Sequence, residues 1–532
     1  MDAESPVPAA AGPRTDRGIL LFSVLVVATC GLVYELISAT MASYLLGDSV
    51  TQWSLVIGVY LSAMGLGSWL SKHVEQRLHR RFVEIQLVIA VVGGCSAPAL
   101  FLGFAYLASV RPLLFAILVV VGTMVGLEIP LLMRIMERGQ TLKDLVARVL
   151  AFDYLGSLAA SILFPLALLP YLGLVRTSLL FGMFNAAIAA WSAHLFRHEI
   201  RGYPWLRAQA WFVLIALGSA FAIGPSIEAW GERKLYEFPV IYSQKSTYQR
   251  ITLTRWQADL RLYIDGNLQF SSADEYRYHE ALVHPALARG GVRRVLVLGG
   301  GDGLALREVL KHGTVEHVDL VDLDPMMTTL FGEHPTLRQL HGDALRDPRV
   351  TVHNADAMEW LIAQRRAGAE PYDAAIVDLP DPNNFSLGKL YSRSFYRLLA
   401  THLRPDAIGV VQATSPYLAP RSFWCIVRTL DDAGLHPVPY HAHVPSFGDW
   451  GFVLIGNTSF EPPTRLEPGV PRRFLHDALL SSLFVFPADQ TPPEVEVNHL
   501  NDQRLVHYYE TDLHAPLGVF GPSHAALPAP ET

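Results

Sequence analysis

The order of apolar and polar positions divides the chain into two parts at about residue 228. Before that point, seven stretches are long and apolar enough to cross roughly 30 Å of hydrocarbon as helices. They cover residues 18–46, 52–71, 82–108, 112–133, 149–171, 174–196 and 208–227. The pattern therefore predicts an N-terminal tail over residues 1–17 and a helical transmembrane domain of about seven spans over residues 18–228.

The part after residue 236 has the short elements of a globular fold. Residues 236–272 alternate apolar and polar positions with turn residues between them, which predicts a small antiparallel β subdomain. Over residues 273–458, strand-like runs alternate with helical stretches, as in an open, parallel α/β sheet. Residues 459–532 are rich in proline and polar residues, so we expect a C-terminal extension that is partly disordered, above all at its end.

Composition agrees with this division. Hydrophobic residues make up 51% of the 532 positions and charged residues only 17%, which is too apolar for an ordinary soluble protein of this length. The expected fold class is therefore a multi-span α-helical membrane domain followed by an α/β Rossmann-like, methyltransferase-type domain with a small N-terminal β subdomain.

Charge and cysteine content narrow the possible partners. The net charge is −7, and without a stripe rich in Lys and Arg we expect a cationic small molecule and no nucleic acid. Cys30, Cys95 and Cys425 are widely spaced and have no histidine partners at metal-ligand spacing, so we expect neither a disulfide framework nor a metal site.

Three acids, Glu35, Glu128 and Asp153, fall inside predicted spans. An ionisable side chain in hydrocarbon is costly unless it faces the bundle interior or a partner. These acids indicate either a site for a cation or polar contacts that fix helix packing, and the sequence leaves both interpretations open. Small residues over 62–71 indicate close packing between helices.

Carboxylates follow four successive predicted strands, at Asp302, Asp322, Asp356 and Asp378. The carboxyl ends of parallel strands meet in one crevice, where ligands bind. Asp302 stands among glycines where a pyrophosphate would be repelled, so the ligand near it is cationic or neutral. Asp322 can accept hydrogen bonds from ribose hydroxyls, and Asp356 can accept from an adenine amine. Taken singly, each aspartate could equally be a loop cap or a ligand-binding residue. Taken together, the four predict a site whose ligand is a sulfonium nucleoside.

The segment DLPDPNN, residues 378–384, places two carboxylates three residues apart on a loop stiffened by prolines. Asp378 can hold an attacking amine and take its proton, while Asp381 binds the polar end of the same diamine. The alternative is a rigid Pro-Asp turn that carries no chemistry.

Several motifs occur in a characteristic order: LYIDGNLQ, DEYRYHEA, GGGDGLALREVLKH, VDLD, NADA and DLPDP. Over roughly residues 240–457 the chain resembles the spermidine synthase family of aminopropyltransferases, in its membrane-fused branch. The resemblance implies transfer of the aminopropyl group of decarboxylated S-adenosylmethionine to putrescine, which gives spermidine and methylthioadenosine, without a tightly bound cofactor. It also implies a homodimer.

The resemblance assigns a role to each of ten residues. Asp378 is the catalytic acid/base. Donor-binding residues are Gln249, His279, Asp302, Asp322, Asp356 and Ala357; acceptor-binding residues are Tyr278, Gln269 and Asp381. Two acceptor-side segments depart from the family pattern: DPNNFSLGKLYS after Asp378, and VPSFGDWGF where soluble members often carry a tyrosine-bearing gate.

Two other functions compete with this prediction. An S-adenosylmethionine-dependent methyltransferase shares the sheet and the ribose acid, but methyl transfer needs no pair of acids for a diamine. A membrane transporter or sensor of polyamines would bind ligand in an inactive C-terminal domain.

We expect a multi-pass protein in the lipid bilayer of the cell (inner) membrane. Basic residues are concentrated in alternate loops, so the positive-inside rule places these loops in the cytoplasm. Seven spans would then put the catalytic domain outside, whereas supply of the donor favours the cytoplasm. The side of the membrane stays open.

Overall fold

A computed structural model describes residues 14–46, 49–107, 109–137 and 141–514 of the chain. The chain forms two compact units that divide between Glu237 and Phe238. The disorder predicted for the end of the C-terminal extension falls on residues 515–532, outside the described residues. The first helix begins at Arg14, inside the predicted tail, and residues 1–13 also lie outside the described part.

Over its described residues the first unit is mostly α-helical, with short loops between the helices. Its helices are α1 (Arg14–Leu46), α2 (Ser49–Leu70), α3 (Leu78–Gly94), α4 (Ser96–Tyr106), α5 (Arg111–Met136), α6 (Leu142–Leu163), α7 (Leu169–Leu195) and α8 (Tyr203–Leu235). Six helical segments among the described residues are long and apolar enough to cross a membrane. One of these, Leu142–Leu195, has 54 residues and is broken at Gly173, where φ is 70°. It contains the predicted span 149–171 and all but the last residue of the span 174–196, so the count of seven crossings stays a prediction.

Helices α2 and α5 pack closely because small residues face each other. A side chain at Gly67 would overlap the backbone carbonyl of Thr123, and one at Gly126 would overlap the carbonyl of Met64. Glycine lets two helix backbones approach in this way, as in many membrane proteins. Gly67 thus confirms the close packing expected from residues 62–71.

The second unit begins with a four-stranded antiparallel sheet in the order β1-β2-β3-β4. The strands are β1 (Val240–Lys245), β2 (Arg250–Trp256), β3 (Asp259–Ile264) and β4 (Asn267–Ser271). Alternation places Ile251 and Leu253 on one face, where they are buried with Leu262 and Phe270. This sheet is the small β subdomain predicted from the alternating pattern.

A seven-stranded mixed sheet follows, in the order β10-β11-β9-β8-β5-β6-β7. Its strands are β5 (Arg294–Gly299), β6 (His317–Asp322), β7 (Val350–Asn354), β8 (Tyr372–Asp378), β9 (Leu403–Gln412), β10 (Val438–Val444) and β11 (Gly448–Gly456). Strands β5 to β9 are parallel, whereas β11 is antiparallel to both β9 and β10. The edge differs from the parallel pattern because only residues 445–447 join β10 to β11, and a parallel pair needs a crossover of a dozen residues or more.

Ten helices accompany the two sheets in the described residues of this unit. They are α9 (Glu275–Val283), α10 (Leu304–Leu310), α11 (Pro325–Glu333), α12 (Pro335–Leu340), α13 (Ala357–Ala367), α14 (Phe385–Gly388), α15 (Arg393–Ala400), α16 (Pro420–Asp432), α17 (Asp477–Leu483) and α18 (Arg504–His514). The last two belong to the C-terminal extension, which is therefore folded in part. The extension is tied to the domain by Asn498, whose amide donates to the carbonyls of Gly388 and Tyr391.

Candidate active site

One cavity of about 490 Å³ lies at the carboxyl ends of the parallel strands, beside the point where the strand order reverses between β5 and β8. A crevice at this point is the expected ligand site of an open α/β sheet. The structure brings all ten predicted site residues to this cavity. They are Gln249, Gln269, Tyr278, His279, Asp302, Asp322, Asp356, Ala357, Asp378 and Asp381.

The glycine-rich loop after β5 shapes one wall of the cavity. Gly299 has φ of 80°, and a side chain there would overlap the carbonyl of Asp378 on the neighbouring strand. Glycine is the residue that adopts this conformation without steric cost. The loop then presents Asp302, whose Oδ1 accepts a hydrogen bond from the N–H of Leu304, 2.9 Å away, at the start of α10. Burial raises the pKa of Asp302 to about 6, although the nearby charge of His279 opposes the increase.

Asp322 ends β6 and is fixed by two backbone groups. Its Oδ2 accepts from the N–H of Gly301 at 3.0 Å, and its Oδ1 accepts from the N–H of Asp324 at 2.9 Å. Burial raises the pKa of Asp322 to about 6, and these hydrogen bonds work in the opposite direction. Each carboxylate oxygen has a second lone pair, so Asp322 can still accept from a ligand's hydroxyl groups.

Asp356 caps a helix and also lines the cavity. Its Oδ1 caps α13 by accepting from the N–H groups of Met358 and Glu359, at 2.9 and 3.2 Å. Its Oδ2 lies 2.5 Å from Nζ of Lys389. Burial opposes ionisation, yet the hydrogen bond and charge of Lys389, with the two backbone donors, hold the pKa of Asp356 below its usual range. The residue is a helix cap that also lines the cavity, so the two interpretations do not exclude each other.

Asp378 ends β8 and meets residues of α9. The hydroxyl of Tyr278 donates to its Oδ1 at 2.7 Å. Burial raises the pKa of Asp378, while the charge of His279 and the hydrogen bond from Tyr278 limit the rise. Among the described residues nothing donates to Oδ2, which leaves that oxygen available to a ligand.

His279 is held by a buried ionic chain. Its Nδ1 lies 2.8 Å from the carboxylate of Glu275, and the guanidinium of Arg307 donates to both oxygens of that carboxylate at 3.0 and 2.9 Å. Burial alone would lower the pKa of His279, but the hydrogen bond and charge of Glu275 raise it above its usual value. The arrangement favours a protonated ring beside Asp302 and Asp378.

The carboxylate of Asp381, on the acceptor side, accepts hydrogen bonds from three side chains. Its Oδ2 accepts from the hydroxyl of Tyr509 at 2.8 Å and from Oγ1 of Thr414 at 3.3 Å, and its Oδ1 accepts from Nε2 of Gln412 at 3.3 Å. Burial raises the pKa of Asp381, and these three donors oppose the shift. Sequence reasoning missed Tyr509, Gln412 and Thr414. Gln412 is the last residue of β9 and Thr414 lies just beyond it, at the strand end where the predicted acids lie in their own strands, which is a usable signal. Tyr509 has no such signal.

The remaining walls come from the β subdomain and the β10–β11 turn. Gln249 and Gln269 line the cavity, and the amide of Gln269 donates to the carbonyl of Asn267 at 3.2 Å. Phe447 of the turn and Trp450 of β11 pack near the ring of Tyr278, with centroid distances of 6.1 and 6.5 Å.

Aspartates give this cavity its charge. Six of them line it, whereas Lys and Arg are missing from the described residues of its wall. The six are Asp265, Asp302, Asp322, Asp356, Asp378 and Asp381. An acid-lined crevice at the carboxyl edge of a mixed sheet is the kind of site in which a Rossmann-like domain can hold a ligand with cationic groups.

Comparison with known proteins identifies the family. The model of the spermine/spermidine synthase domain matches residues 275–461. The chain is 54% identical over 511 residues to polyamine aminopropyltransferase 2 of Ralstonia nicotianae, covering 94% of this chain and 99% of that protein. It is 46% identical over 496 residues to the polyamine aminopropyltransferase of Leptospira interrogans, covering 93% and 98%. The crystal structure of spermidine synthase from Thermotoga maritima aligns with a TM-score of 0.41 and 24% identity, over 47% of this chain and 84% of that one.

The chain belongs to the polyamine aminopropyltransferase family and is a transferase. The resemblance inferred from the sequence motifs is thereby confirmed. Because the match to the Ralstonia protein covers 94% of this chain, it includes most of the helical unit as well as the catalytic domain.

Proposed function

We propose that the enzyme transfers the aminopropyl group of decarboxylated S-adenosylmethionine to putrescine, giving spermidine and methylthioadenosine. The observation that carries this proposal is the wall of six aspartates without a described Lys or Arg. Donor and acceptor both carry positive charge, and a cavity whose charged side chains are mainly carboxylates concentrates cations. The carboxylate of ordinary S-adenosylmethionine would be repelled by the same wall, which favours the decarboxylated donor.

The acids divide into a donor group and an acceptor group in this proposal. Asp322 accepts from the ribose hydroxyls, and Asp356, with the backbone at Ala357, binds the adenine. Asp302 and His279 lie beside the aminopropyl arm, and Gln249 contacts the donor from the β subdomain. On the acceptor side, Asp381, Gln269 and Tyr278 bind the diamine. The donor is a co-substrate that leaves after each turnover, so the proposal includes no tightly bound cofactor.

Asp378 carries the chemistry. The lone pair of the amine nitrogen attacks the carbon next to the sulfonium, the C–S bond breaks, and its electrons return to sulfur as a neutral thioether. Oδ2 of Asp378 accepts the proton that the amine loses, while Tyr278 holds Oδ1. Because burial raises the pKa of Asp378, the gap to the pKa of an alkylammonium is smaller than for an exposed aspartate. Orientation of the amine supplies the rest of the rate enhancement.

Product analysis with two donors tests this proposal. Purified enzyme is incubated with decarboxylated or ordinary S-adenosylmethionine and a panel of amines, and methylthioadenosine is measured. Release from the decarboxylated donor, fastest with putrescine, is the expected result. S-adenosylhomocysteine formed from the ordinary donor would favour a methyltransferase instead. Tight polyamine binding without product from either donor would favour a transporter or sensor.

We also propose that the helical unit anchors the enzyme as a multi-pass protein in the lipid bilayer of the inner membrane. Many large apolar side chains on its helices are exposed, and lipid would cover them. Examples are Leu61 at 56% exposure, Trp69 at 55%, Phe212 at 73% and Ile215 at 65%. Thiol labelling of single cysteines placed in alternate loops of intact cells would locate each side. A homodimer, suggested by the family, is checked by light scattering in detergent.

A further inference from the structure

The shortest hydrogen bond to the carboxylate of Asp381 comes from the C-terminal extension. Tyr509 donates to Oδ2 at 2.8 Å, whereas Thr414 donates to Oδ2 and Gln412 to Oδ1 at 3.3 Å each. Tyr509 lies in α18, outside the matched synthase domain of residues 275–461. A segment beyond the family domain therefore contributes to the acceptor side of the cavity.

Helix α18 is firmly anchored to the domain. Leu505 and Val506 are fully buried, and the carboxylate of Asp512 accepts from Nε of Arg421 at 2.8 Å and from the N–H of Ser422 at 3.1 Å. A helix end fixed by buried contacts holds its side chains in one position. The hydroxyl of Tyr509 is thus preorganised toward Asp381.

One face of α18 forms part of the cavity wall. Tyr509 and Leu513 both line the cavity, and residues four apart lie on the same side of a helix. The neighbouring Tyr508 does not line the cavity. Its hydroxyl accepts a hydrogen bond from the backbone N–H of Glu496 at 3.3 Å. The helix therefore offers a tyrosine at the site and a second tyrosine away from it.

We propose that α18 is the acceptor-side wall of the active site and that Tyr509 is a positioning residue, which orients the Asp381 carboxylate toward the distal ammonium of the diamine. This inference rests on the proposed function. Tyr509 and Thr414 both engage Oδ2, so Oδ1, with its single long contact to Gln412, is the oxygen left for the substrate. The chemical class that this wall selects is an amine with a second cationic group several bonds from the attacking nitrogen.

The test compares Tyr509→Phe with Tyr508→Phe as a matched control. Steady-state rates are measured with 1,4-diaminobutane and with butylamine, which lacks the distal ammonium. Loss of a charge-assisted hydrogen bond should raise the KM for the diamine about tenfold in Tyr509→Phe. The KM for the nucleoside donor should stay unchanged, and the preference for diamine over butylamine should fall by a similar factor. Tyr508→Phe should match the unsubstituted enzyme in all three values.

A merely structural role for Tyr509 would change both KM values together and leave the amine preference unaltered, and that result would overturn the inference. Equal behaviour of Tyr509→Phe and Tyr508→Phe would overturn it as well. No turnover by the unsubstituted enzyme would overturn the proposed function instead. In that event calorimetric titration of 1,4-diaminobutane into the same three proteins still decides the inference, because weaker binding only in Tyr509→Phe supports it and equal binding refutes it.

Discussion

Both units of the molecule bury carboxylates, but they do so in different ways. In α5 of the helical unit, Glu128 is 0% exposed, and neither of its carboxylate oxygens has a hydrogen-bond partner among the described residues. In the catalytic unit, Asp322 and Asp381 are partly buried, and each accepts from two or three donors and lines a shared cavity. Burial by itself therefore does not distinguish a site. A functional site is distinguished by carboxylates that converge on one cavity and are fixed by hydrogen bonds, because such carboxylates are already positioned for a ligand.

The largest effect is expected from Asp378→Asn. The amide keeps the shape of the side chain but cannot accept the amine's proton, so kcat should fall by about 10² to 10⁴, the usual contribution of a positioned base. Methylthioadenosine release measures the loss, and donor binding by calorimetry serves as the control because it should persist. Activity within a few-fold of the unsubstituted enzyme would show that Asp378 is not the base.

The pH dependence of donor use should reflect the raised pKa values of the cleft. Asp302 and Asp322 have pKa values of about 6, and their ionised forms attract the cationic donor and accept from its ribose. As the pH falls through 6 these groups are protonated, so kcat/KM for the donor should drop about tenfold per pH unit for one essential carboxylate. An acid limb near pH 4 would instead mean that both aspartates keep ordinary pKa values in the working enzyme. The variant Asp322→Asn has no titrating carboxyl at position 322, so the decrease of kcat/KM with falling pH should be less steep.

A smaller effect is expected from Lys389→Met. The ammonium of Lys389 lies 2.5 Å from Oδ2 of Asp356 and lowers the pKa of that carboxyl. Since the pair is partly exposed, solvent screens it, and its loss should raise the KM for the donor only about three- to tenfold. The KM for the amine should not change, which separates this effect from that of the acceptor side. An unchanged donor KM would show that Asp356 needs only its backbone donors to stay in place.

The difference between the two units also explains how far the sequence predicts the structure. Asp302, Asp322, Asp356 and Asp378 each follow an apolar strand, and the carboxyl ends of parallel strands meet, so a local pattern was sufficient to place them together. Tyr509 lies 128 residues beyond Asp381 along the chain, and no local sequence pattern predicts a contact over that separation. The antiparallel edge at β10 and β11 was missed for a related reason, since strand direction there depends on the length of one short turn.

The smallest effect is expected from Glu128→Gln in the helical unit. A carboxylate ionised at this position would lack any described partner, and an unpaired buried charge is costly. The neutral amide has nearly the same volume, so aminopropyl transfer should be unchanged and the melting temperature in detergent should stay equal or rise. The matched substitution in the cleft, Asp381→Asn, should by contrast raise the KM for the diamine, because there the carboxylate faces a ligand. If Glu128→Gln lowered transfer about tenfold without lowering the melting temperature, the buried acid of the helical unit would have a part in the reaction, and the contrast between the two units would fail.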